Sequence, residues 1–155
     1  MKAQFAALAT AVSAICLVAA SHLYAKTIHL SAALSGASEV PANTTSGTGS
    51  VAADFNTATN AFSYTAAYSG LTGPAVAAHF HGPAVAGANA PPIIMIKELA
   101  SPIKGTTALS PNQAKDLLTG KWYFNVHTAA HPSGEVRGQL IASRPTNRVR
   151  RRIRR

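Results

Sequence analysis

Gly49-Ser50-Val51-Ala52-Ala53-Asp54-Phe55-Asn56 and Ala61-Phe62-Ser63-Tyr64-Thr65-Ala66-Ala67-Tyr68, flanking the loop Asn56-Thr57-Ala58-Thr59-Asn60, decide the fold. Val51, Ala53 and Phe55 alternate with small or polar residues in the first run, as do Phe62, Tyr64, Ala66 and Tyr68 in the second. A period of two sends each apolar set to one face of a strand. Asn and Thr between the runs supply the turn chemistry of a hairpin.

The pattern extends outward in both directions. Residues 27–32 alternate with Ile28 and Leu30 on one face, and residues 75–81 put Val76, Ala78 and Phe80 opposite Ala77, His79 and His81. Residues 93–97 form a short apolar run of the kind found in a buried strand, and residues 122–128 and 135–142 read as a closing hairpin. Seven such runs in about 115 residues point to a sandwich or barrel. One helix is predicted over residues 111–119: Ser110 caps it, Pro111 takes its first position, Gln113 stands three after the cap, and Gly120 stops it. Residues 82–92 form a low-complexity loop.

Composition narrows the function classes. The chain has 155 residues with one cysteine, Cys16. A disulfide framework, a CxxC redox centre and a Cys-ligated zinc site are therefore excluded. The net charge of +9 is unevenly placed, because residues 26–143 hold six bases against five acids and residues 144–155 hold seven arginines. Lys2 precedes an uncharged apolar run over residues 5–20, shorter than the ~20 residues that span a bilayer, and small residues follow it. That order predicts a secretory signal peptide over residues 1–25, cleaved near Ala25-Lys26, and hence a secreted or periplasmic protein. A retained membrane anchor is the alternative.

Chemistry concentrates in the histidines. His79 and His81 share one strand face with Cβ atoms roughly 7 Å apart, a spacing from which both rings can converge on a metal at about 2 Å. His127 stands on the face opposite Trp122, Phe124 and Val126. If the two strands are neighbours, His79, His81 and His127 form a three-imidazole site suited to copper or zinc. His131, in the following turn, is a possible fourth ligand, and His29 reads as a surface side chain. The competing reading is that each histidine bonds locally and orders the sheet end without metal, since no carboxylate stands beside the pair in sequence to orient it. Catalytic motifs are missing: there is no Gly-x-Ser-x-Gly elbow, no HExxH and no phosphate-cradling loop. Any enzymatic activity would have to be metal-borne.

Several ordered motifs carry a family resemblance. Gly36-Ala37-Ser38-Glu39-Val40-Pro41, Gly70-Leu71-Thr72-Gly73-Pro74 leading into His79-Phe80-His81-Gly82-Pro83, Trp122-Tyr123-Phe124-Asn125-Val126-His127-Thr128 and Gly134-Glu135-Val136-Arg137-Gly138-Gln139-Leu140 resemble the CHRD domain of chordin and of many secreted microbial proteins. Two positions depart from its pattern: Ala42 stands where a second proline is common, and His131 where Asn is usual before Pro132. The resemblance implies an all-β, immunoglobulin-like Greek-key sandwich, similar to copper/zinc superoxide dismutase, with one short helix. It places the domain over residues 26–143 and marks Glu39, Pro41, Asn125, Glu135 and Arg137 as family-motif residues. The His-x-His segment is similar to that enzyme's copper strand, with His127 as a later ligand. Its bridging histidine and zinc-site aspartate have no match, so dismutase activity is not carried over. Glu135 and Arg137 are expected to form a partly buried ion pair or a polar stitch across the closing hairpin.

The tail, with Arg148, Arg150, Arg151, Arg152, Arg154 and Arg155, cannot build a core and is expected to be disordered. It could bind an anionic envelope or membrane surface at about 1 kcal/mol per basic residue. A solvated extension is the plainer reading, and secretion disfavours nucleic acid. Two functions result: a non-catalytic extracytoplasmic module binding an unknown protein or surface partner, or a copper- or zinc-binding protein with redox potential.

Overall fold

The computed structural model describes residues 25–143. The expected signal peptide (residues 1–25) and arginine tail (residues 144–155) lie outside the described residues, save for Ala25.

Among the described residues, nine strands form one antiparallel ladder: β1 (Thr27–Ser35), β2 (Thr48–Asn56), β3 (Ala61–Ser69), β4 (Ala75–His81), β5 (Pro92–Met95), β6 (Ile103–Ala108), β7 (Tyr123–Thr128), β8 (Val136–Gln139) and β9 (Ile141–Ala142). The order across the ladder is β5-β4-β7-β8-β1-β2-β3-β6, with β9 also on β1. β1 and β8 are joined by a single register pair, Ser35 with Arg137, so the ladder folds over at that seam. Phe62 of β3 and Phe80 of β4 lie far apart along the ladder, yet their rings meet edge to face at 5.3 Å. The sheet therefore curls into two facing layers, β5-β4-β7-β8 against β1-β2-β3-β6. The connections β3–β4, β5–β6 and β6–β7 cross between them, as in a Greek-key sandwich.

Between the layers, Leu30, Leu34, Val51, Phe55, Phe62, Phe80, Trp122, Phe124, Val126 and Val136 are buried. Full burial of a side chain of this size stabilises by about 1.5–3 kcal/mol. Trp122 and Phe124 pack beside Phe62 and Phe80, so aromatic contacts bridge the layers. The predicted hairpin pairs in register, with Val51 opposite Ala66 and Phe55 opposite Phe62. Helix α1 (Pro111–Leu118) has the full capping box: Ser110 Oγ accepts from the Gln113 N–H, and Gln113 Oε1 accepts from the Ser110 N–H. Ala114 and Leu117 pin it to the core.

Three expectations change. Residues 93–97 are not a buried strand: β5 is the edge of its layer, where Ile94 pairs with Phe80 and is half-buried while Met95 is exposed. Val76 does not share the core face with Ala78 and Phe80, because an irregularity between Ala75 and Ala77 breaks the alternation and leaves Val76 57% exposed. Strand β6 was not expected from Ile103-Lys104-Gly105-Thr106-Thr107-Ala108, which has one large apolar residue. Its register with β3 depends on Gly105, since a Cβ there would lie 2.5 Å from the Tyr64 ring carbon bearing the hydroxyl.

Candidate metal centre

β4 and β7 are neighbours, pairing Ala77 with His127, His79 with Asn125 and His81 with Tyr123. Because Ala78, Phe80, Phe124 and Val126 take the core face, the alternate residues share the outer face. His79, His81 and His127 accordingly converge, each offering a ring nitrogen, with all three nitrogens within 4.8 Å of one another. His79 Nδ1 is 3.3 Å from His127 Nε2. His131 is not part of this cluster; its backbone N–H donates to the Thr128 carbonyl in the turn after β7. His29 is on the other layer, exposed and bonded to Asp54 Oδ1 at 2.6 Å.

Two rings are oriented from behind. His81 Nδ1 lies 2.9 Å from the Ala90 carbonyl and His127 Nδ1 lies 3.0 Å from the Pro132 carbonyl. A carbonyl only accepts, so each Nδ1 carries the proton and each Nε2 keeps its lone pair. Sequence reasoning sought a carboxylate in this role, whereas backbone carbonyls fill it. His81 also stacks on Tyr123, ring centroids 4.6 Å apart, and the Arg137 guanidinium covers the ring at 3.4 Å. Burial, then the adjacent His127 and His81, push His79 down to about 4. Burial likewise lowers His81, against the raising effect of Ala90 and Asn125. Both rings are thus neutral near pH 7, the state a metal requires.

The loop over residues 82–91 is fastened to this face. Arg137 donates to Asn89 Oδ1 and the Ala88 carbonyl, Gln139 donates to the Ala84 carbonyl, and the Tyr123 hydroxyl bonds to Ala90. The loop thereby holds the Ala90 carbonyl against His81.

Of the family-motif residues, Pro41 is exposed, while Glu39, Asn125, Glu135 and Arg137 are buried. Glu135 and Arg137 do not form the expected ion pair. Glu135 accepts from the hydroxyls of Thr45, Thr72 and Thr128 and the Thr72 N–H, while Arg137 turns to the 82–91 loop. The stitch spans three chain segments and is fully buried rather than partly. Burial alone would raise the Glu135 carboxyl, but these hydrogen bonds outweigh it and hold it at about 2. Glu39, expected as a family-motif residue, was not foreseen as a partner of Asn125. Burial, only partly offset by Arg137, the Val40 N–H and the Asn125 side chain, raises it to about 7. Gly134, at φ +127°, leaves it room, since a Cβ there would lie 2.4 Å from Glu39 Oε1.

An open groove of about 680 Å³ crosses the outer face of the other layer, lined by His29, Ser31, Asp54, Ser63, Lys104 and Ser143 among others. It is remote from His79, His81 and His127, which sit on β4 and β7.

Fold and site together define a β-sandwich module bearing a cluster of three imidazoles on one outer face. The CHRD domain family model matches residues 30–140, and the chain belongs to that family. No curated protein and no solved structure matches the chain.

Proposed function

We propose that this CHRD module is an extracytoplasmic binding protein whose site for a transition-metal ion, copper or zinc, is formed by His79, His81 and His127. The observation that carries this reading is the convergence of three ring nitrogens within 4.8 Å, from strands far apart in sequence. Neutral imidazole is the donor both metals accept, and a second partner on Nδ1 is the usual companion of a ligating histidine. The site is reachable, because His79 and His127 are half-buried rather than sealed. The role is binding or carriage of the ion at an envelope or cell surface, to which the arginine tail attaches the protein.

Copper and zinc titrations of the purified protein, beside a His79→Ala/His81→Ala/His127→Ala variant, test it. One-to-one binding that disappears in the variant supports the proposal. Equal, weak binding by both overturns it and leaves a module that recognises a macromolecular partner.

A further inference from the structure

We infer that Asn125 Oδ1 is a fourth donor of the histidine site, completing a tetrahedral N3O set for a divalent ion of the zinc class, and that Glu39 is the positioning residue that aims it. The inference rests on the metal-binding reading above and adds the coordination.

Asn125 lies on the floor of the cluster and is 3% exposed, so buried neighbours rather than solvent fix its amide. Its Oδ1 is 3.0 Å from His81 Nε2 and 3.1 Å from His127 Nε2. Both rings have already committed an Nδ1–H to a carbonyl, so a ring carrying that one N–H has no proton left for Oδ1. Lone pairs on two nitrogens and one oxygen therefore face one another, with His79 Nδ1 a further 3.3 Å from His127 Nε2. A cation among these donors would relieve the repulsion, whereas a proton on His79 Nδ1 relieves it only at His127. Three of the six donor spacings, 3.0, 3.1 and 3.3 Å, are close to the edge of a tetrahedron with ~2 Å metal bonds, about 3.3 Å, and the histidine nitrogens, within 4.8 Å of one another, would draw together on the ion.

The other end of the amide explains the orientation. With Oδ1 on the histidines, the NH2 group is directed away from them, and through it Asn125 favours the charged form of the buried Glu39 carboxyl. Glu39 Oε1 is buried without a hydrogen-bond partner, so no different polar neighbour holds the group. A carboxyl accepting from the Asn125 amide turns Oδ1 toward the imidazoles and adds electron density to it, as a carboxylate behind a ligating histidine does.

Zinc affinity by competition with a chromophoric chelator, and the visible spectrum of the Co(II)-loaded protein, test this in the full chain. Wild type should show the intense absorption of four-coordinate Co(II). Asn125→Leu, similar in shape but without the oxygen, should bind zinc at least 10-fold more weakly and shift the Co(II) bands. Asn125→Asp restores an oxygen donor and should bind at least as tightly as wild type. Glu39→Gln should weaken zinc binding about 10- to 100-fold and move the Co(II) bands, a spectral change that loss of stability alone would not produce. An Asn125→Leu variant with wild-type affinity and spectrum overturns the N3O site while the three-histidine centre stands. If it does not fold, weaker zinc binding by Asn125→Asp than by wild type does so instead. An unchanged spectrum in Glu39→Gln removes Glu39 from the assignment. Absence of zinc binding by wild type overturns the metal-binding reading itself.

Discussion

His79 Nδ1 and His127 Nε2 stand 3.3 Å apart, although 48 positions separate the two residues in the chain. At that distance both rings cannot hold a proton on the facing atoms, and the pair disfavours charge on His79. A metal held by the two nitrogens would take the place of the one proton they can share, so occupancy and stability should be linked. With zinc at about 100 times its dissociation constant, the wild-type protein should gain about 2.7 kcal/mol, read as a raised melting temperature. His79→Ala should melt close to metal-free wild type, because a half-buried face position costs little, and should lose the zinc-dependent rise. A rise of equal size in the variant would separate His79 from the metal.

Glu135 governs the acid limb of stability. Its folded-state value of about 2 lies below its ordinary 4.5, so its stabilising effect is complete above pH 4.5 and is lost as pH falls through 2. Glu135→Ala should cost about 3 kcal/mol at pH 7, because the Thr45, Thr72 and Thr128 donors lose their acceptor. Urea unfolding at pH 7 and pH 2.5 checks both parts: the gap between wild type and variant should narrow at the lower pH. A constant gap would mean that Glu135 acts through packing alone.

Glu39 acts with the opposite sign. Its folded-state value of about 7 lies above 4.5, so its contribution is complete below pH 4.5 and is lost as pH rises through 7. His79 works against it, since its lowered value makes stability fall as pH drops from 6.5 through 4. The wild-type profile therefore blends the two, and Glu39→Gln isolates one of them. In chelator-treated protein the variant should become more stable relative to wild type between pH 5 and pH 8. A gap independent of pH would place no titrating group at Glu39.

Period-two alternation made the central hairpin, β4, β7 and the outer-face placement of His79, His81 and His127 legible, because one strand position determines every other. The capping residues around Ser110 did the same for the helix. Strand β6 was not legible: Thr, Gly and Ala contribute little apolar contrast, and Gly105 is explained only by the Tyr64 ring across the ladder. Val76 misled because a local irregularity defeats alternation without a marker in sequence. At the site, Asn125 could have been placed on the histidine face by counting back two from His127. Glu39 could not, since a loop residue has no periodicity and its approach to Asn125 exists only in three dimensions. Pairing Glu135 with Arg137 failed for a similar reason, as the Thr45 and Thr72 partners come from distant loops.

The arginine tail gives the last expectation, and it is separable from the site. Residues 26–143 are nearly neutral, with six bases against five acids, so the excess positive charge from residue 26 onward comes from the seven arginines after Ser143. If these hold the module at an anionic surface, binding to vesicles containing phosphatidylglycerol should weaken steeply with added salt, since a Debye length of about 10 Å at 0.1 M screens such contacts. Truncation after Ser143 should abolish that binding and leave zinc affinity unchanged, because no metal-site donor lies in the removed segment. Co-sedimentation at two ionic strengths, with chelator competition on the same samples, measures both quantities. Vesicle binding that survives truncation would move the attachment surface onto the sandwich itself.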